Sequence, residues 1–145
     1  MPLNLNAYRM RARAEDGAPL DLRDPQSGNP TGAVIRVRGY DSDSYQRLVM
    51  EQQRRRLDRM PAHKPTPEEI EEDARELSAA LVAGWDDDVF ELDGAPLRYT
   101  PGNVRSLYAQ EPWIRDQVEM FARERANFFP PPASGSSLTP VTSAG

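Results

Sequence analysis

Three prolines, Pro67, Pro101 and Pro112, each open a stretch with helical apolar spacing, and together they cut the chain into short helices. Proline lacks the amide that a helix interior needs, but its fixed φ suits the first helical position, so these are starts and not interruptions. The clearest start is "TPEEIEEDARELSAALVAGW". Thr66 caps the helix, Pro67 is its first residue and Glu69 closes a capping box. Glu68, Glu69, Glu71, Glu72 and Asp73 crowd the positive end of the helix dipole. Ile70, Ala74, Leu77 and Leu81 supply an apolar face, with Gly84 as the left-handed stop, which predicts a helix over about 66–83.

The same reasoning divides the rest. "TPGNVRSLYAQ" predicts a helix at 101–110 with Thr100 as cap, and "PWIRDQVEMFARERANFF" one at 112–127 with Ile114, Val118 and Phe121 inward. "DSDSYQRLVMEQQRRRLDRM" predicts a helix over 42–60, capped by Ser42 or Asp43. Its thin apolar stripe is Leu48, Val49, Leu57 and Met60. "PAHKP" (61–65) must break it. Ahead of these, "APLDLRDPQSGNPTG" and "AVIRVRGY" read as a β element over 18–40, a strand at Leu20–Leu22 and another from Ala33, compatible with a hairpin. Asp93-Gly94, between the arms Phe90/Leu92 and Leu97/Tyr99, is a tight-turn signal. The expected fold is mainly α: a single small domain of about four helices over 18–129 with a short N-terminal β element. Residues 1–17 are expected to be a flexible arm, and the Pro/Ser-rich residues 130–145 a disordered tail.

Composition excludes several function classes. With no cysteine there is no disulfide framework, thiolate chemistry or Cys-based zinc site. No apolar run approaches the roughly 20 residues of a membrane-spanning helix, and the first residues contain no signal-peptide apolar region. The net charge of −5 is uneven: residues 1–65 hold 12 Lys/Arg against 8 Asp/Glu, and residues 66–145 hold 6 against 15. Such asymmetry marks a basic nucleic-acid face, two halves that face each other, or two faces for different partners.

Candidate chemistry is sparse. An EF-hand frame from Asp86 fails, because Phe90, Glu91 and Leu97 fall at its fifth, sixth and twelfth places. The Asp86–Asp88 run reads instead as a solvated bridge between a helix end and a turn. His63 is the sole histidine and sits in a proline-flanked linker without a nucleophile-elbow motif. Neither a Walker loop nor a dinucleotide fingerprint is present. The expectation is therefore no enzyme, no cofactor and no metal site. Arg54, Arg55, Arg56 and Arg59 form a basic helix surface, but consecutive arginines turn by roughly 100° each, and no aromatics interleave for base stacking. A solvated or partner-facing surface is the favoured reading over nucleic acid. Trp85 and Trp113 are expected to anchor the core. Phe128 and Phe129, where the last helix meets the proline tail, are expected to be half exposed.

The succession "DPQSGNPTG", "AVIRVRGYDSDSY", an arginine-rich helix, "LVAGW", "LDGAPLRYTPGNVRSLY" and "PWIRDQVEMFARERANFF" resembles the tail assembly chaperones of long-tailed bacteriophages and prophages, over about residues 22–129. The resemblance implies a protein that binds the long helical tape measure protein, keeps it soluble and helps recruit tail-tube subunits. It also implies a host-cytoplasmic location and absence from the finished virion. In such families a frameshifted longer form contacts the tube protein, and this chain would be the short product. The family carries no catalytic residues across. Client binding is expected in a groove along the last two helices: Leu107, Tyr108, Trp113, Val118, Phe121, Phe128 and Phe129. For Leu107, Trp113 and Phe121 a core role is at least as good a reading, and self-association is left open. The alternatives are a structural tail or head–tail joining component and a small nucleic-acid-binding regulator.

Overall fold

Side-chain caps and proline set the helix starts in the computed structural model, which describes residues 1–130; the tail expected at 130–145 lies, from residue 131 on, outside the described residues. The order is α1 (Met10–Asp16), β1 (Ala18–Arg23), β2 (Pro30–Val37), α2 (Asp43–Arg59), α3 (Pro67–Ala80), β3 (Val82–Gly84), β4 (Glu91–Leu92), β5 (Ala95–Pro96), α4 (Pro101–Gln110) and α5 (Pro112–Arg123). Single 3₁₀ turns stand at Leu5–Ala7 and Arg125–Phe128. Ser42 accepts from the Tyr45 amide, Thr100 from that of Asn103, and Thr66 and Glu69 form both halves of the capping box. The fold is mainly helical with small β elements, as the sequence pattern predicts.

β1 and β2 form an antiparallel hairpin with Leu20 opposite Ile35. Its turn is closed by Asp24, whose Oδ1 accepts from the Gln26 amide at 2.7 Å and the Ser27 amide at 3.1 Å. β3 joins the other edge of β2 antiparallel, through Arg36 opposite Gly84 and Val37 opposite Val82. The core lies between one face of this sheet and α3, α4 and α5. It is made of Leu22, Ile35, Val37, Leu81, Val82, Val104, Tyr108, Ile114, Val118 and Ala122, all buried.

Several expectations are corrected here. The second half of the expected N-terminal arm is packed: α1 buries Ala14 completely and lies against α2 and the 3₁₀ turn at 125–128, while residues 1–9 are exposed. The Glu15 carboxylate fastens it, accepting from the Ser44 amide at 2.9 Å and the Ser44 hydroxyl at 2.6 Å. These bonds hold the Glu15 carboxyl below its ordinary value against the opposing effect of burial. Among the described residues there are thus five α-helices, where about four were expected.

The helix expected over 66–83 stops at Ala80, because Arg38 takes over its end. The Arg38 amide donates to the Leu81 carbonyl at 2.6 Å, and its guanidinium to the Ala80 and Val82 carbonyls at 3.3 Å each. Val82–Gly84 is then strand, and Gly84 belongs to the sheet and not to a helix cap. The last helix ends at Arg123, and the expected 124–127 segment is irregular and 3₁₀. On α2 the expected stripe fails at its C-terminal end: Leu57 and Met60 are exposed.

The face that α2 presents to α3 is polar. Gln52 is buried, donating to the Asp73 carbonyl at 2.9 Å and Glu76 Oε1 at 2.8 Å. Arg55 pairs with Glu76 and Arg56 with Asp73 at 3.0 Å, and Arg59 with Glu69 at 2.9 Å. The basic and acidic halves of the sequence thus face each other, which was one of the three readings of the charge asymmetry.

Candidate binding cleft

A partly open apolar cleft of about 370 Å³ lies where the β4–β5 hairpin faces α4 and the start of α5. Its floor is Leu22 of β1 and Ala33 of β2. One wall is Phe90, Leu92 and Leu97 from the hairpin and its flanks, and the other is Leu107, Trp113 and Ile114. Two-residue strands do not hold themselves in place, so the hairpin depends on aromatic anchors. Trp85 stands edge-on to Phe90 at 5.0 Å and to Tyr99 at 5.3 Å between ring centres, and its Nε1 donates to the Leu97 carbonyl at 2.8 Å. The Tyr99 hydroxyl donates to the Val82 carbonyl at 3.1 Å, tying the cluster to β3. The turn itself uses Asp93 (φ 52°) and Gly94 (φ 82°), both positive, as the Asp-Gly signal predicts.

The seven residues expected to line one client groove do not share a surface. Tyr108 and Val118 are core, with the Tyr108 hydroxyl donating to the Ser78 carbonyl at 3.1 Å. Burial pushes the Tyr108 phenol above its ordinary value. Leu107 and Trp113 are partly buried and line the cleft. Phe121, Phe128 and Phe129 border a second, shallower hollow of about 500 Å³ at the far end of α5, shared with Gly17, Ala18 and Pro19. 

Phe128 is only 6% exposed, against the expected half-exposed pair; its ring meets Phe121 at 5.8 Å. Phe129 is partly covered by the Arg13 guanidinium, 4.7 Å above its ring. Neither tryptophan is fully buried, but both pack against the core as expected, Trp113 also lining the cleft and Trp85 standing against Phe90 and Tyr99. Of the basic helix surface, Arg55, Arg56 and Arg59 are engaged by acids of α3.

Leu22, Ala33, Phe90, Leu92 and Leu97 were not foreseen in this role. The Asp-Gly turn marked a hairpin, but no local signal said which way its apolar arms would face. Among the described residues, no three His, Cys, Asp or Glu side chains converge in an arrangement for a metal ion. Asp86–Asp88 are exposed at the approach to the hairpin, with Asp87 3.8 Å from Arg98. His63 lies 2.8 Å from Glu69, at the corner between α2 and α3.

The family model described as "YdaY prophage protein" matches residues 40–130, more than half of the chain, including both walls of the cleft. The chain belongs to the YdaY prophage protein family. No curated protein and no solved structure matches it. Membership makes this a phage or prophage protein, and the family's segment runs from Tyr40 through every helix after α1.

Proposed function

We propose that this prophage protein is a non-catalytic tail assembly chaperone that binds the tape measure protein, keeps it soluble and helps recruit tail-tube subunits. The observation that carries the reading is the cleft. It joins half-buried Leu107 and Trp113 to an aromatic-anchored hairpin, forming an apolar groove that a helix face could enter. A long helical client offers many such faces. Prophage family membership and the succession of motifs from Gly84 to Phe129 support the same reading. The protein would act in the host cytoplasm and be absent from finished tails. A longer frameshifted form would add the contact to the tube protein.

The test is co-expression with the longest coiled-coil-like chain encoded nearby. The expected result is a partner that is insoluble alone, soluble with this protein, and insoluble again with the exposed cleft variant Leu92→Asp. Recovery of this protein in purified tails, with no effect on partner solubility, would overturn the reading in favour of a structural tail component. The regulator reading has less support, because three of its four arginines already face carboxylates. Salt-dependent DNA binding lost on substituting Arg54 would revive it.

A further inference from the structure

We infer that the segment this cleft accepts is a basic amphipathic helix, with bulky apolar residues on one face and Lys or Arg beside them. The inference rests on the client-binding reading above and adds the chemistry of the client. Fourteen residues line the cleft, among them the carboxylates Glu91 and Glu111, and none is Lys or Arg. From Gly84 to Leu97 the chain carries five acids and no cation.

The distribution of ion pairs makes this more than a matter of composition. On α3, the acids Glu69, Glu71, Glu72, Asp73 and Glu76 each pair with an arginine. The cleft's own carboxylates, Glu91 and Glu111, have no ion pair among the described residues, and neither do Asp86, Asp88 and Asp93 of the neighbouring loop and turn. Residues 131–145 contain no Lys or Arg that could provide one. Asp87 has only Arg98, at 3.8 Å, and that arginine is largely exposed. The Trp113 indole donates to Glu111 Oε1 at 2.7 Å, which fixes one carboxylate beside the apolar wall. An apolar slot rimmed by unneutralised carboxylates attracts cations, repels acidic helices and so selects its partner by charge.

The experiment uses two fluorescein-labelled model peptides of about 18 residues, long enough to hold a helix. They share one Leu/Phe face and differ only in carrying Lys or Glu beside it. Fluorescence polarisation with the whole protein at low salt should give about tenfold tighter binding of the Lys peptide, shrinking as salt rises. Glu91→Lys combined with Glu111→Lys should remove or invert the preference. Leu92→Asn, on the exposed hairpin, should weaken both peptides without unfolding the protein, as circular dichroism would confirm.

Equal binding of the two peptides would overturn the inference, and so would a Lys preference that survives the combined Glu91→Lys and Glu111→Lys change. The outcomes separate it from the function it rests on. A tape-measure chain kept soluble without any Lys preference defeats the inference alone. A Lys preference with no effect on that chain's solubility defeats the chaperone reading alone.

Discussion

Gly17→Ala is the sharpest probe of how the two ends of the sheet are held. Gly17 links α1 to β1 at φ +80°, ψ 178°, a conformation in which an L side chain is strained by about 1–3 kcal/mol. A β-carbon there would also sit 2.9 Å from the Val37 carbonyl oxygen and 3.4 Å from its carbon. Val37 cannot readily retreat, because it pairs with Ala18 on one side and Val82 on the other. Overpacking of this kind adds roughly 1–3 kcal/mol, so the total is about 2–6 kcal/mol out of a typical 5–15.

Gly28→Ala is the control: its φ is +79°, but nothing lies within 4 Å of the added carbon, so only about 1 kcal/mol of backbone strain is expected. Urea unfolding followed by the fluorescence of Trp85 and Trp113 reads both. A slope of about 2 kcal/mol/M places the Gly17→Ala midpoint about 1–3 M below wild type, with Gly28→Ala much closer to it. If Gly17→Ala were no worse than Gly28→Ala, the α1–sheet junction would not be held as described, and residues 1–17 would be the loose arm that the sequence suggests.

Two further outcomes follow from the packing and the charges. Tyr108→Phe removes the hydroxyl that donates to the Ser78 carbonyl, which still accepts from the Leu81 amide at 3.2 Å. The expected loss is about 1 kcal/mol and a fall of about 3–6 °C in Tm by calorimetry, and an unchanged Tm would refute it. The Glu69 carboxyl is held at about 2, below its ordinary 4.5, first by the Thr66 amide and then by His63 and Arg59. Because the folded value is the lower one, its contribution is complete above pH 4.5 and is lost as the pH falls from there toward 2. Urea midpoints measured across that window should drop more steeply for wild type than for Glu69→Gln; parallel curves would sink the claim.

Much of the fold was legible where one residue type does one local job. The capping box at Thr66 and Glu69, the caps at Ser42 and Thr100, and the Asp93-Gly94 turn all act within a few residues, so sequence alone locates them. What was missed depends on distant partners. "RMRARAED" has no apolar period, and α1 is held by Ala14 in the core and by Glu15 on Ser44, 29 residues away. The end of α3 is decided by Arg38, 42 and 44 residues from the carbonyls it binds. α2 resisted an apolar-stripe reading because its contact with α3 is made by Gln52 and arginines, which hydropathy scores as surface. The candidate site was half legible: Leu107 and Trp113 reach the cleft, while the rest of the expected set went to the core or to the opposite end of α5.

The position of Phe128 and Phe129 beside α1 also bears on how the molecule can be handled. The last described turn lies against the first helix, with Arg13 over Phe129 and both Ala14 and Phe128 beside Gly39. Trp113, at the cleft, is eight positions before Phe121 on α5, or about 12 Å along the axis. A surface linkage or label placed at Pro130 itself would therefore start at the pole away from the cleft. A protein immobilised at that position would present its groove outward, and fluorophores at Trp113 and Pro130 would report the two poles separately.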